Sequence, residues 1–194
     1  MQQKQKVLIA LIVASVVILG GFFLFKDKIS DTTPKNGVTN VEIVSKVDID
    51  YPQGWTEQKL TDVDKIAGII LNLERSTPEA TFILRTIVGQ LEENINIDEL
   101  SDEIVNKFNK EIENFDLVNK KVYRLDSLDA IEVRYKQKSE AEDNKVYENL
   151  IIIIPTKNQT FYLTFRSDES DFDKIQKDIE KISKDFVSPL KSAR

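Results

Sequence analysis

The sequence predicts an α+β fold in which an antiparallel sheet lies between two helices and follows a transmembrane helix. Three observations predict it: a run of 19 residues without a charge at 7–25, seven strand-like segments joined by short polar turns, and two amphipathic segments. Short turns favour antiparallel neighbours. Strands that are apolar on both faces need a helical layer on each side, so we expect a helix, sheet, helix sandwich.

The first element is the apolar segment 7–25, in which Ser15 carries the only side-chain hydroxyl. A helix of this length measures roughly 28 Å, close to the ~30 Å hydrocarbon core of a bilayer. Lys4 and Lys6 would also suit a cleaved secretory signal, but the segment is longer than a signal core and lacks a small-residue cleavage site. We predict a single-pass signal anchor in the cell membrane, with residues 1–6 in the cytoplasm and the chain beyond it extracytoplasmic.

The chain after the anchor divides into a stem, a folded domain and a short tail. Residues 26–46 are rich in Ser, Thr and Asn with Pro34 and Gly37, a composition typical of linkers. Beyond residue 28 the chain holds 23 basic and 32 acidic residues, a net charge of −9. Such a charge repels nucleic-acid phosphates, so no nucleic-acid partner is expected. The domain is predicted to occupy 47–190, followed by a tail at 191–194.

The first half of the domain reads as three strands and a helix. A turn at 52–54 leads into strands at 55–60, 66–73 and 80–88, where apolar side chains alternate between the two faces. An amphipathic helix follows, and its apolar positions recur every three or four residues. These positions are Leu100, Ile104, Phe108, Ile112 and Phe115.

The second half of the domain reads as four strands and a final helix. Strands are predicted at 117–125, 131–136, from 146 through the apolar run 150–154, and at 161–165. The run 150–154 is typical of a central strand buried on both faces. Ser170 and Asp173 have the spacing of a capping box, and Pro189 is expected just beyond the end of the final helix. The stripe of that helix is Phe172, Ile175, Ile179, Ile182 and Phe186.

Three short sequence motifs indicate a family. They are Tyr51-Pro52-Gln53-Gly54-Trp55, the A-x-E-x-x-Y pattern within 129–137, and FYLTF at 161–165 leading into DFD at 171–173. Together with the element order, they resemble the PsbP family, which includes the photosystem II extrinsic protein and bacterial relatives of unassigned role. The resemblance covers roughly 47–190. It implies the PsbP fold, work outside the cytoplasm, and a structural role for Tyr51, Pro52, Gly54 and Trp55, with the Trp packed against the sheet.

Catalytic chemistry is not expected. The chain has no His and no Cys, and it lacks the G-x-S-x-G, P-loop and dinucleotide glycine patterns. We therefore predict a protein that is not an enzyme and needs no cofactor.

Two acidic groups are conceivable cation sites. Asp168, Asp171 and Asp173 have a calcium-like series but lack the Gly and distant Glu of an EF-hand loop, so they remain weak metal candidates against N-terminal capping of the last helix. The acids at 98–103 are explained by the helix macrodipole.

The sequence thus leaves two main classes of function, with a hydrolase that uses a pair of carboxylates as a third. The first is a membrane-anchored, non-enzymatic accessory protein that contacts another envelope or membrane protein on the extracytoplasmic side. The alternative is a binding module for a small ligand or a divalent cation such as calcium. Net charge and motif content do not separate them, because both classes need only a binding surface.

Overall fold

A computed structural model describes residues 47–88, 96–142, 144–156 and 158–192. They form one seven-stranded sheet in which every neighbouring pair is antiparallel. The strand order is β1-β2-β3-β7-β6-β5-β4. The strands are β1 Trp55–Glu57, β2 Ile69–Ser76, β3 Glu79–Val88, β4 Phe115–Leu125, β5 Leu128–Ser139, β6 Lys145–Pro155 and β7 Gln159–Asp168.

Two long helices cover opposite faces of this sheet, as the sequence predicts. We number the helices α1 Asp62–Ile66, α2 Ile97–Glu111 and α3 Gln176–Ser192. The predicted α+β sandwich is confirmed for the described residues. Within them, no helix is both long enough and apolar enough to cross a membrane, and the predicted anchor at 7–25 lies outside them.

The face covered by α3, called the α3 face below, holds the larger apolar core. Phe82 and Phe165 come from neighbouring strands, and their ring centroids lie 4.6 Å apart. Phe161 meets Phe186 of α3 edge to face at 5.0 Å. Offset and edge-to-face contacts of this kind stabilise a core beyond the area they bury. This core joins β1, β2, β3, β5, β6 and β7 to α3.

The opposite face, called the α2 face, holds a smaller core under α2. Leu100, Ile104 and Phe108 of the helix pack on Ile131 and Val133 of β5 and on their neighbours. The predicted helix stripe is therefore confirmed, although the helix ends at Glu111 and Phe115 begins β4. The central strand β6 is buried continuously from 148 to 154, which confirms that both of its faces are covered.

The sequence did not predict the short helix α1. Thr61 caps it by accepting from the Asp64 backbone N–H at 3.2 Å, while the Asp64 carboxylate accepts from the Thr61 N–H at 2.8 Å. This reciprocal capping converts the predicted start of a strand at Ile66 into a helical turn. Gly68 follows at φ +79°, and a Cβ there would lie 2.4 Å from the Thr86 carbonyl oxygen.

The predictions for the two ends of the last helix were wrong. Ser170 forms no capping box, because its backbone N–H and its hydroxyl both donate to Asp168 at 3.0 Å. A 3-10 turn at Phe172–Ile175 then leads into α3. At the other end α3 continues through Pro189 to Ser192. Proline has no backbone N–H, so α3 lacks one helical hydrogen bond at Pro189.

Candidate functional site

The three weak metal candidates lie near the junction of β7 and α3. Asp168 ends β7 and accepts hydrogen bonds from Ser170, and Lys145 Nζ lies 3.6 Å from its carboxylate. The backbone hydrogen bond from Ser170 is the main cause that lowers the pKa of Asp168 from its ordinary value. A carboxylate stabilised in its charged form by these donors has no need of a metal ion.

The other two aspartates have basic partners of their own. Asp171 pairs with Lys174 three residues later, and Asp173 pairs with Arg134 Nη2 at 3.2 Å. No group of three or more acidic side chains that could hold a metal ion occurs in the part of the chain that the structure describes. The three candidates are therefore not brought together as a ligand set, and these contacts give the calcium alternative no support.

The Tyr51–Trp55 word has a structural role. The Trp55 N–H reaches the Pro52 carbonyl at 3.4 Å, and Gly54 adopts φ +98° in the turn between them. The Trp55 side chain is buried, and its Nε1–H donates to Asp178 Oδ2 of α3 at 2.9 Å. Arg75 of β2 also donates to that carboxylate. Through Asp178, Trp55 and Arg75 therefore connect β1 and β2 to α3.

A row of polar side chains crosses the α2 face beside this helix. Tyr135 of β5 lies opposite Asn149 of β6, and Asn149 lies opposite Arg166 of β7. Directly opposed residues of antiparallel strands point to the same face with Cβ atoms about 5 Å apart. We call Tyr135, Asn149 and Arg166 the polar row.

Several atoms of the polar row have no hydrogen-bond partner. Tyr135 is 0% exposed and Asn149 is 3% exposed. The Tyr135 hydroxyl, the Asn149 Nδ2 and the Arg166 Nε are all buried and without a partner among the described residues. Leaving such groups unsatisfied costs about 1–3 kcal/mol each, so a cluster of three in one row is unusual for a purely structural core.

The Arg166 guanidinium lies over an aromatic ring. Its central carbon is 3.7 Å from the ring centroid of Tyr147, which is two positions before Asn149 on β6 and therefore the next residue on the α2 face. The Tyr147 hydroxyl donates to Glu142. No carboxylate of the described residues forms an ion pair with Arg166. The result is a half-buried cation held in place by stacking and without an anionic partner in that part of the chain.

The electrostatics of the polar row keep the tyrosine protonated. Burial raises the pKa of Tyr135 above its ordinary value, and the charge of Arg166 opposes this rise only in part. A protonated phenol donates a hydrogen bond at neutral pH. The row therefore offers three kinds of N–H or O–H donor, from a phenol, an amide and a guanidinium.

The sequence analysis did not single out the polar row. Alternation along the two strands places Arg166 on the face opposite Phe165 and Tyr135 on the apolar face that it shares with Ile131 and Val133. One signal was available in the sequence. The apolar run 150–154 predicts that both faces of β6 are buried, and the neighbouring strands β5 and β7 each carry a polar group on one of those faces. Pairing these positions requires the strand register, which a single sequence does not give.

A second surface is the outer edge of β4. This strand of 11 residues ends the sheet, and no described strand pairs with its outer edge. Leu117, Val118 and Val122 are exposed apolar side chains on it, with exposures of 41%, 45% and 36%. An open edge offers backbone donors and acceptors to an added strand.

The edge of β4 is basic although the domain is acidic. Lys120, Lys121 and Arg124 lie on it, against one acid, Asp116. Each base has an intramolecular partner: Asp102, Glu132 and Asp129, respectively. A register shift between Leu117 and Asn119 interrupts the pairing of β4 with β5. Lysines and bulges discourage indiscriminate pairing of edges, so any partner strand must suit this pattern.

Comparisons with known proteins found similarity in fold only. No family model and no curated protein matches the sequence. Among solved structures, LpqN of Mycobacterium tuberculosis is similar with a TM-score of 0.51 and 10% identity, over 70% of this chain and 79% of LpqN. A Pseudomonas aeruginosa protein of unknown function has a TM-score of 0.48 and 10% identity, over 70% and 81% of the two chains.

Cyanobacterial PsbP from Synechocystis is also among the similar structures. Its TM-score is 0.45 at 13% identity, and the match covers 78% of this chain and 97% of that protein. The PsbP resemblance noted in the sequence thus has a counterpart among the similar structures, and this likeness concerns the fold alone. A shared fold does not transfer a site or a role.

Proposed function

We propose that this protein is a non-enzymatic accessory protein of the cell envelope that binds an extended segment of a protein partner along β4. The observation that carries the proposal is the open edge of that strand, with Leu117, Val118 and Val122 exposed on it. Strand addition supplies affinity through backbone hydrogen bonds and specificity through alternating side chains. The role in envelope biogenesis stated for LpqN agrees with this proposal.

The side chains of β4 select the kind of segment. Lys120, Lys121 and Arg124 each have an acidic partner already, so the exposed Leu117, Val118 and Val122 favour an extended segment with apolar side chains. A second copy is a poorer partner, because antiparallel pairing of β4 with itself about its middle would bring lysines of the two copies together. We therefore expect a partner of a different sequence.

Site-specific photocross-linking in cells tests this proposal. A photoreactive amino acid at Val118 is expected to cross-link one specific envelope protein. The matched control places it at Val63, which is 73% exposed on α1. Cross-linking of the same proteins from both positions, or only of a second copy of this chain from Val118, would contradict the proposal.

Hydrogen exchange then tests the mode of binding. Adding the cross-linked segment of the partner as a peptide is expected to slow exchange of backbone amides in β4 and to leave those of β1, at the other end of the sheet, unchanged. Replacing Leu117 and Val122 by Ser should weaken peptide binding about tenfold, because two exposed apolar contacts are lost. Equal weakening by Val63→Ser and Ile66→Ser would show a nonspecific apolar effect.

Anchoring and orientation are part of the same proposal. Residues 7–25 are proposed as the single membrane span, with the described domain outside the cytoplasm. The chain has no Cys, so Ser192→Cys would introduce its only thiol. A membrane-impermeant maleimide should label that thiol in intact cells with a permeable outer layer. Labelling only after lysis would contradict the orientation without affecting the edge of β4.

A further inference from the structure

The polar row places three side-chain atoms without internal hydrogen-bond partners on adjacent strands. Its members come from three adjacent strands, so the row extends about 10 Å across the sheet. Tyr135 packs beneath α2 against Phe108 and Phe115, with ring centroids 6.1 Å and 4.9 Å away. Arg166, at the other end, is half-buried. The row thus leads from a solvent-accessible cation to a buried hydroxyl.

All three unsatisfied groups of the row can donate hydrogen bonds. The Arg166 Nε–H and the Tyr135 hydroxyl are donors, and the Asn149 Nδ2 is a two-hydrogen donor. Buried donors without acceptors favour a ligand that supplies oxygen lone pairs. We propose that the polar row is a binding site for a small oxyanion of the carboxylate or phosphate class.

The guanidinium is held in an orientation suited to this ligand. The Tyr147 ring lies beneath its planar face, so the N–H groups at its edge remain available. A guanidinium edge binds a planar carboxylate or a phosphate through two parallel hydrogen bonds. The stacking fixes the plane before the ligand arrives, which reduces the side-chain entropy lost on binding.

Neighbouring carboxylates do not neutralise Arg166. Glu142 accepts from the Tyr147 hydroxyl. Glu79 and Asp168 lie within 4 Å of Lys145 Nζ, at 3.7 Å and 3.6 Å. Glu142 and Asp168 lie beside Tyr147, the ring that the Arg166 guanidinium covers, and they repel highly charged anions. The site therefore favours a ligand of low charge, which can exchange its hydration shell for hydrogen bonds from Asn149 and Tyr135.

The site is independent of the proposed function at β4. It lies on β5, β6 and β7. Leu117 lies directly opposite Tyr135, whereas Val122 lies opposite Ile131, so Val122→Ser is the β4 variant that tests the two sites separately. Loss of partner binding at β4 with retained oxyanion binding would affect only the proposed function. Loss of oxyanion binding with retained partner binding would affect only this inference.

Nuclear magnetic resonance of the full-length chain in detergent micelles tests the inference. The probes are sodium acetate and sodium phosphate, each titrated against sodium chloride at constant ionic strength and pH. The readout is the Nε–Hε resonance of Arg166, assigned by its disappearance in Arg166→Lys. The matched control is Arg124, an exposed arginine that pairs with Asp129.

Acetate or phosphate is expected to shift the Arg166 resonance along a saturable curve and to shift that of Arg124 only slightly and linearly. Saturation by one probe alone assigns the ligand class. Tyr135→Phe should weaken the binding about tenfold, because one hydrogen bond to a charged acceptor is lost, while leaving the fold intact. Linear shifts with both probes, or equal shifts at Arg166 and Arg124, would overturn the inference.

Discussion

The two faces of the sheet are covered in different ways. On the α3 face, apolar residues of six strands meet a long helix and its preceding 3-10 turn in one continuous core. On the α2 face, apolar packing is confined to the area beneath α2, and the polar row borders it. Both faces belong to the same strands, so the difference lies in which side chains alternate onto each face.

This difference separates stability from binding. An apolar core that excludes water supplies most of the free energy of folding. Polar groups buried without partners oppose folding and persist where they serve another purpose. We therefore assign the α3 face mainly to stability and the margin of the α2 face to recognition.

The largest expected effect contrasts one phenylalanine from each face. Phe82→Ala should lower the free energy of unfolding by about 4 kcal/mol, because Phe82 is fully buried against Phe165 and its loss leaves a cavity. Phe108→Ala should lower the free energy of unfolding by about 3 kcal/mol. This loss is smaller because the site borders the polar row, so water can occupy the space that the ring leaves. Urea unfolding of both variants measures the two losses. A larger loss for Phe108→Ala would break the contrast between the faces.

The second prediction concerns the ion pair that fastens β1 and β2 to α3. Asp178→Asn should lower the free energy of unfolding by about 2 kcal/mol, because Arg75 is only 20% exposed and Trp55 loses a charged acceptor. Asp50→Asn is the matched control on the same face. Its carboxylate pairs with Lys181 and is 83% exposed, so it should cost less than about 0.5 kcal/mol. Equal losses measured by thermal unfolding would contradict the role assigned to the Tyr51–Trp55 motif.

The third prediction sharpens the assignment of the polar row. Tyr135→Phe should leave the free energy of unfolding unchanged or raise it by up to about 1 kcal/mol, because the lost hydroxyl is buried without a partner. Most core substitutions destabilise, so a gain here identifies a group retained for binding. Tyr123→Phe, on the α3 face, is the comparison. A loss above about 1 kcal/mol for Tyr135→Phe would show that the hydroxyl stabilises the fold.

The spacing of apolar residues over a few neighbouring positions predicted most of the fold. The alternation of 161–165 and the apolar run 150–154 located β6 and β7, and the stripe from Leu100 to Ile112 located α2. Periodicity reports which side of an element is buried, and this depends on residues only a few positions apart. The helix α1 was missed because the Thr61 and Asp64 capping signal is short and the apolar residues after it favour a strand.

The polar row could not be predicted in the same way. Tyr135, Asn149 and Arg166 are separated by 14 and 17 positions along the chain and meet only through the register of three strands. The aspartates at 168, 171 and 173 are close in sequence yet engage different bases. Closeness in sequence is thus a poor guide to a ligand set at a strand end, where the chain changes direction.

The smallest expected effect concerns acid pH at the rim of the α2 face. The pKa of Asp168 lies below its ordinary value, chiefly because the Ser170 backbone N–H donates to it. A depressed pKa contributes stability that is present above the unfolded-state pKa of about 3.9 and is lost as the pH falls through the folded-state value. Asp168→Asn should therefore destabilise the protein by less than about 1 kcal/mol at pH 7, given solvent screening, and the difference from the parent should shrink below about pH 4. Asp48→Asn, at an exposed position, is the control for chemical denaturation across this range. The difference in the free energy of unfolding between Asp168→Asn and the parent protein could instead stay constant down to pH 2. That result would show that the charge of Asp168 does not contribute to stability. The structure around Asp168 would then depend on neutral hydrogen bonds alone.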